Sequence, residues 1–446
     1  YISLKDNISH SHDFLNAAIN SLHQRGPDNT GIYRDEQCEL GHARLSIIDT
    51  SSAANQPMID NSGRYVIVFN GEIYNYRSIK NKLEHKGHKF ITSSDTEVVL
   101  YSFIEFGAKC IEHFNGFFSF CIYDKKYNSY LIARDRFGIK PLYYSLDEKR
   151  LIFGSELKAI LAYPIDKTLD RNALNLYFRH NYIPAPFTIL NSCKKLLPGE
   201  LLTISKGKCK IEEYYKYYPC KASDDSYEEA KQKINSLLIN SVESRLVADV
   251  PLGTFLSGGV DSSVISLIAS RLKTDLNTFS IGFPDEPLFD ESQYAEEVAK
   301  HINSQHHTFQ VTNNTMFQHL NEILDYMDEP FADSSAINVY ILSKQTRDHV
   351  TVSLSGDGAD ELFSGYNKHA ALLLADKNNF RNLAIKNSSL LFNLLPQSRN
   401  SKIGNLGRKL VKLSYGLNLS SDERYLEWAS FMRKEKIDKI ATMLEK

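Results

Sequence analysis

Phe255-Leu256-Ser257-Gly258-Gly259-Val260-Asp261-Ser262-Ser263 is the stretch on which the fold of the second half of this chain turns. Residues 253–256, which lead into it, are short and bounded, as in a buried strand, and residues 264–272 behind it carry helical spacing. A strand that passes through a glycine turn straight into a helix is suited to holding phosphate. Glycines let the backbone come close to an anion, and the free N–H groups and dipole of a helix start attract negative charge. Ser257, Ser262 and Ser263 add hydroxyl donors. Asp261 is out of place beside phosphate unless a cation intervenes, which assigns it to Mg²⁺. The plainer reading is a tight turn with no ligand. No GxxxxGK followed by Ser or Thr occurs, so this is not a Walker A loop.

Outward from this turn, strands are expected at 279–283 and 350–354, with helices at 292–302 and 315–327. That alternation predicts a doubly wound parallel α/β sheet. The strand at 350–354 runs into Ser355-Gly356-Asp357-Gly358-Ala359-Asp360-Glu361-Leu362-Phe363-Ser364-Gly365-Tyr366. Asp357, Asp360 and Glu361 repel one another unless a metal-bound pyrophosphate or a cationic substrate group supplies counter-charge. The alternative is a solvated acidic turn that caps a helix. Upstream, Ser226 with Glu229 forms a capping-box pattern. Tyr227, Ala230, Ile234, Leu237, Leu238 and Val242 then predict a long amphipathic helix.

Residues 1–205 read differently. Apolar runs at 65–69, 117–123, 130–133 and 151–153, separated by turn residues, predict antiparallel hairpins, with helices at 14–23 and 96–106. The polar, aperiodic stretch 206–225 reads as a linker, dividing the chain into units 1–205 and 226–446. Three segments of the first unit stand out: Gly41-His42-Ala43-Arg44-Leu45-Ser46-Ile47-Ile48-Asp49, Phe69-Asn70-Gly71-Glu72-Ile73-Tyr74-Asn75 and Ser93-Ser94-Asp95-Thr96-Glu97. Each alone has an ordinary explanation. Asn-Gly is a common hairpin turn, Arg44 a surface charge, and Asp95 a helix N-cap.

Bulk properties narrow the function. With 446 residues, 42% hydrophobic and 24% charged, the chain suits two globular domains. A net charge of −2 gives no broad basic field for nucleic acid or an acidic membrane. The six Cys include no CxxC pair, which argues against zinc and for free thiols in a reducing cytosol. No apolar run reaches the roughly 18 residues of a membrane helix, and the start lacks a signal-peptide pattern. Cytoplasmic location is expected.

Together with Arg25-Gly26-Pro27-Asp28, the three N-terminal segments resemble the class II glutamine amidotransferases. The central loop resembles the SGGxDS loop of the N-type ATP pyrophosphatases. Their order, followed by Leu354–Tyr366, resembles the glutamine-hydrolysing asparagine synthetases of the bacterial B type. So do Ala133–Tyr143, Tyr182-Ile183-Pro184-Ala185-Pro186 and Asp328-Glu329-Pro330-Phe331-Ala332-Asp333-Ser334-Ser335. The resemblance covers nearly the whole chain.

It implies an N-terminal αββα sandwich of the N-terminal-nucleophile hydrolase type. It further implies that Arg44 pairs with the glutamine α-carboxylate, that Asp95 takes the α-ammonium, and that Glu72, Ile47 and Ile48 complete the pocket. Asn70 and Gly71 would form the oxyanion hole. The family nucleophile is an N-terminal Cys that would precede Tyr1, so the sequence is expected to lack about half a dozen residues there. A family Arg-rich segment that helps bind aspartate and phosphate is likewise expected beyond Lys446, and with it part of the synthetase site. In the second unit, Leu256, Ser257, Gly258, Gly259, Asp261, Ser262, Ile281, Ser355 and Gly356 would bind ATP. Asp357 would serve acyl-adenylate formation, and Asp261 and Asp360 would hold Mg²⁺. The implied partners are glutamine, aspartate and ATP, with a homodimer left open. The first alternative is amidation of a sugar acid in surface polysaccharide synthesis. β-Lactam synthetases need no glutaminase, and a non-catalytic protein of the same fold is the remaining contrast.

Overall fold

The computed structural model describes residues 1–5, 12–218, 222–376, 380–397, 401–432, 436–437 and 439–440. Cys220 and part of the 206–225 stretch lie outside them; the five described cysteines are free thiols.

The N-terminal half is built on two antiparallel sheets. One runs in the order Lys208–Glu213, Glu200–Ser205, Ser129–Arg134, Gly116–Asp124, Tyr65–Ile73, Met58–Ile59. The other runs Ile2–Ser3, Arg150–Gly154, Tyr143–Leu146, Lys194–Lys195. Side chains alternate across each strand, so one sequence feeds two cores. Val66, Val68, Cys121, Tyr123, Tyr130 and Ile132 face the second sheet, against Ile2 and Leu151. Their neighbours Ile67, Phe69, Phe118, Phe120, Ile122 and Leu131 face helices Tyr76–His85 and Asp95–Phe106 through Ile79, Leu83, Val98 and Val99. On the outer side of the second sheet, helices His12–Ser21 and Leu157–Leu161 bury Ala18, Leu157 and Ile160 against Ile152. These are the four layers of an αββα sandwich. Lys208–Glu213 falls in the stretch predicted as linker, yet it pairs in full register with Glu200–Ser205. It is a largely exposed edge strand, and the alternation of Cys209 and Ile211 within it is too short to stand out from the polar stretch around it.

The C-terminal half carries a parallel sheet in the order Gln305–Gln310, Asn277–Gly282, Leu252–Phe255, Val352–Leu354. Successive strands step one way and then the order reverses between Leu252–Phe255 and Val352–Leu354. Such a reversal opens a crevice at the carboxyl ends of those two strands. Helix Tyr227–Arg245 starts at the predicted capping box, with both reciprocal bonds of Ser226 and Glu229 made. Its predicted apolar face is only partly covered. Val242 is buried against Ile268 and Ala269 of helix Val260–Leu272, whereas Tyr227 and Leu237 are 80% and 67% exposed. The period was readable; the extent of the surface it meets was not.

Candidate active sites

The first site is a cavity of about 510 Å³ in the N-terminal half. Arg44, Ile47, Ile48, Asn70, Gly71, Glu72 and Asp95 all line it. The ordinary explanations of these residues fail on geometry. Asn70 and Gly71 lie within strand Tyr65–Ile73, opposite Ser119 and Phe118, not in a hairpin turn. A Cβ on Gly71 would sit 2.1 Å from the Phe117 carbonyl oxygen, so only glycine fits that approach. The cap of helix Asp95–Phe106 is Ser94, whose hydroxyl accepts the Glu97 N–H. Asp95 is thereby left to the cavity. It is buried, and its carboxylate accepts the Ile73 N–H at 3.0 Å. Burial, helped by Glu72, pushes its carboxyl up to about 7. Glu72 is also raised by burial, an effect opposed by Lys140 and Arg245.

Arg44 is buried, not a surface charge, but its fork is not free. One terminal nitrogen donates to Ser51 O at 3.0 Å and Asn55 Oδ1 at 2.8 Å, and the other to the carbonyls of Ile48 and Asp49. The guanidinium thus braces the loop 48–55, and the edge predicted to meet a carboxylate is turned to protein acceptors. The Asn70 amide donates to Ser155 Oγ at 3.2 Å, a hydroxyl that itself lines the cavity. His42 gives Nε2–H to the Phe69 carbonyl at 3.1 Å and leaves Nδ1 unpartnered. Burial pushes its pKa down to about 4, so the ring is neutral. His42 and Lys140 were not singled out from sequence. Lys140 follows a turn wound around Asp135, whose carboxylate accepts the N–H groups of Phe137, Ile139 and Lys140; Asp-x-x-Gly was the available signal.

The second site lies at the strand-order reversal. Gly258, with φ +82, lets the chain pass against helix Ser292–Ile302, where a Cβ would meet Tyr294 at 2.5 Å. Ser257 and Ser262 hydroxyls are 3.0 Å apart, and the Ser257 N–H reaches Ser262 Oγ at 3.2 Å. Helix Val260–Leu272 begins at Gly259 without a side-chain cap, which leaves its first-turn N–H groups available. Gly356 in the neighbouring loop approaches so closely that a Cβ there would lie 2.9 Å from Ser262 N and 3.0 Å from Asp261 Cβ. Two members of the acidic run are relieved internally. Ser355 donates to Asp357 at 2.9 Å, Tyr366 donates to Glu361 at 2.6 Å, and Asp360 lies against Gly365.

Three of the predicted residues are placed as follows. Leu256 is buried with Ala295 and Ala299, so its side chain belongs to the core and only its backbone reaches the loop. Ser263 Oγ is buried without a partner, not displayed as a donor. Ile281 sits near the carboxyl end of strand Asn277–Gly282, paired with Phe309, on the strand that adjoins Leu252–Phe255. Among the described residues, no three His, Cys, Asp or Glu side chains gather as a metal site. A cation here would rest on Asp261, Asp360 and phosphate oxygens, the sparse ligation usual for magnesium on a nucleotide. The cradle that Gly356 leaves beside Asp261 is compatible with that.

The two halves match two known family models in turn. Residues 2–215 match a glutamine amidotransferase domain, and residues 233–443 match asparagine synthase. The chain is 38% identical over 346 residues to asparagine synthetase (glutamine-hydrolysing) 1 of Bacillus subtilis, covering 77% of this chain and 54% of that protein. It is 37% identical over 380 residues to putative asparagine synthetase (glutamine-hydrolysing) 2 of Methanocaldococcus jannaschii, covering 80% and 73%. A third relative, asparagine synthetase (glutamine-hydrolysing) 3 of Bacillus subtilis, is 34% identical over 385 residues, covering 82% and 62%. The chain therefore spans between about half and three quarters of the length of these relatives.

Proposed function

The chain belongs to the glutamine-hydrolysing asparagine synthetase family, and from that premise we propose that it serves glutamine-dependent asparagine synthesis with ATP. In this reading the β-carboxylate of aspartate attacks the α-phosphorus of ATP. The bond to the β-phosphate breaks, pyrophosphate leaves, and β-aspartyl-AMP results. Ammonia released when water cleaves the glutamine amide then attacks the acyl carbon, and AMP leaves with the electron pair. Adenylation replaces a poor leaving group by a good one, and an enclosed path keeps water from the acyl-adenylate.

Residues 1–215 would form the glutaminase unit and 226–446 the synthetase unit. Asp95 and Glu72 would take the glutamine α-ammonium, and Asn70 with Gly71 would stabilise the tetrahedral oxyanion. Arg44 would act through the loop 48–55 that it braces, presenting the Ile47–Ile48 backbone. In the second unit, Ser257 to Ser262 would hold the β- and γ-phosphates at the helix start, with Ser355 and Gly356 closing the other side. Asp261 and Asp360 would hold magnesium, which when bound neutralises charge on the departing pyrophosphate. Asp357 would face the aspartate carboxylate.

The observation that carries this reading is the apposition of Gly356 to Asp261 and Ser262 at the strand-order reversal. Two loops on adjacent parallel strands meet there as a phosphate site requires. Pyrophosphate release by the full-length protein tests it, with ATP, Mg²⁺ and glutamine and, in turn, aspartate and a panel of carboxylated sugars. Release with aspartate is expected. Release with a uronic acid and none with aspartate would move the chain to amidation of sugar acids.

A further inference from the structure

Three cations line the glutamine cavity, and two are already engaged. Arg25 is paired with Glu156 at 2.9 Å, and Arg44 is held by the loop 48–55. Lys140 is different. Its backbone is fixed, with N–H donated to Asp135 at 2.9 Å and carbonyl accepting Arg134 Nε at 2.9 Å. Its ammonium has neither hydrogen bond nor ion pair among the described residues. Glu72, on the same cavity, has none either.

An ammonium and a carboxylate held apart in one cavity is a costly arrangement for a protein to keep without a ligand. Glu72 and Asp95 also burden each other, because two buried carboxylates in one site resist joint ionisation. We propose that Lys140 is a positioning residue of the glutamine pocket: its ammonium is the counter-charge that keeps Glu72 and Asp95 ionised, so that the pair can receive the substrate's α-ammonium. The inference rests on the glutamine reading of this cavity and deepens it.

The charged surroundings are consistent. Lys140 faces Arg25, Glu72, Asp135 and Asp95, and burial lowers its own pKa. Glu72 faces Lys140 and Arg245, with Tyr74 and Asp95 beside it. Asp95 faces Glu72 and Arg44 and accepts the Ile73 N–H. Asp135 is occupied by its own turn, and Arg245 lies over the Tyr74 and Phe117 rings. Lys140 is therefore the cation left to serve the two carboxylates from inside the cavity.

The test is glutaminase kinetics of the full-length protein between pH 6 and pH 8.5, as wild type, Lys140→Met and Lys140→Arg, with melting temperatures recorded alongside. Without the ammonium, Glu72 and Asp95 ionise only at higher pH. The acid limb of kcat/KM for glutamine should move up by about one pH unit in Lys140→Met, a tenfold weaker KM at pH 6.5, since one pKa unit is tenfold in the ionised fraction. The variant should converge on wild type near pH 8.5, with kcat within about twofold, and Lys140→Arg should restore the wild-type limb. A KM rise in Lys140→Met that is the same at every pH would mean direct contact with substrate and would overturn the proposal. An unchanged profile would overturn it equally. A wild-type protein with no glutaminase activity would defeat the glutamine reading itself, an outcome that no Lys140 variant can mimic.

Discussion

Asp249 reaches across from the C-terminal half and accepts the backbone N–H of Asp49 at 2.8 Å, while its own N–H donates to the Ile47 carbonyl at 2.9 Å. Ile47 lines the cavity proposed to take glutamine, and Asp49 carries the positive φ of 52 that turns the chain back toward Arg44. Asp249 stands three positions before strand Leu252–Phe255, which ends in the turn from Ser257 to Ser262. Two hydrogen bonds thus tie the backbone of one candidate site to the root of the other.

The consequence is a prediction for Asp249→Ala. Loss of one accepted hydrogen bond at an exposed position corresponds to about 1 kcal/mol, roughly fivefold in affinity. KM for glutamine should rise by about that factor, and amide exchange at Asp49 should quicken. Wild-type exchange at Asp49 together with unchanged KM would show that the tie contributes nothing.

Gly356→Ala tests the apposition of the two loops. The added methyl would stand 2.9 Å from Ser262 N, closer than ordinary van der Waals contact, and the nearest atoms are backbone or the backbone-fixed Asp261 Cβ, which cannot swing away. Gly356 does not have positive φ, so the backbone itself tolerates alanine. The loops must part by a few tenths of an ångström, and since a shift of about 1 Å in a preorganised site costs about 100-fold in rate, a loss of roughly three- to tenfold is expected. Pyrophosphate release should fall accordingly while the melting temperature and glutaminase rate hold. Full synthetase turnover in this variant would detach Gly356 from the nucleotide site.

The sequence was informative wherever one local pattern dictates one local structure. The capping box at Ser226 and the strand-turn-helix around Gly258 and Gly259 are of that kind, because caps and positive-φ glycines are decided within a few residues. Long-range features were not readable. Lys208–Glu213 is a strand only because Glu200–Ser205 lies beside it. Arg44 braces a loop because Ile48 to Asn55 folds back over it, which no spacing reveals. The placement of Lys140 depends on a turn whose hub, Asp135, is itself fixed by the Phe118 N–H of another strand. Likewise, the period of helix Tyr227–Arg245 could be read, but the exposure of Tyr227 and Leu237 could not.

Asp95 offers a test in which stability and function move in opposite directions. Its folded carboxyl is raised to about 7, against an ordinary value near 3.9 in the unfolded chain. The folded state therefore holds the proton more tightly. The resulting cost to stability is absent below pH 4, grows as pH rises to 7, and is complete above it. Asp95→Asn removes that cost with little change of shape. Its melting temperature should match wild type at pH 4 and exceed it by a few degrees at pH 8, measured by scanning calorimetry, while glutaminase activity is lost. A variant less stable than wild type at pH 8 would show that the Ile73 N–H bond outweighs the burial of charge.

Asp261→Asn separates the two sites chemically. Asp261 is exposed at the start of helix Val260–Leu272, so the change neither opens a cavity nor strands a buried partner. What it removes is a negative oxygen that a magnesium ion would need next to phosphate. Loss of a group that stabilises transferring phosphate typically costs 100-fold or more. Pyrophosphate release should drop by at least about that factor, and Asp360→Asn should behave alike, with raised Mg²⁺ giving partial recovery in either single variant. Glutamate production from glutamine in the absence of ATP should remain at the wild-type rate. If Asp261→Asn kept its synthetase turnover at every Mg²⁺ concentration, the metal would have to be held elsewhere, and the loop would be left with the phosphates alone.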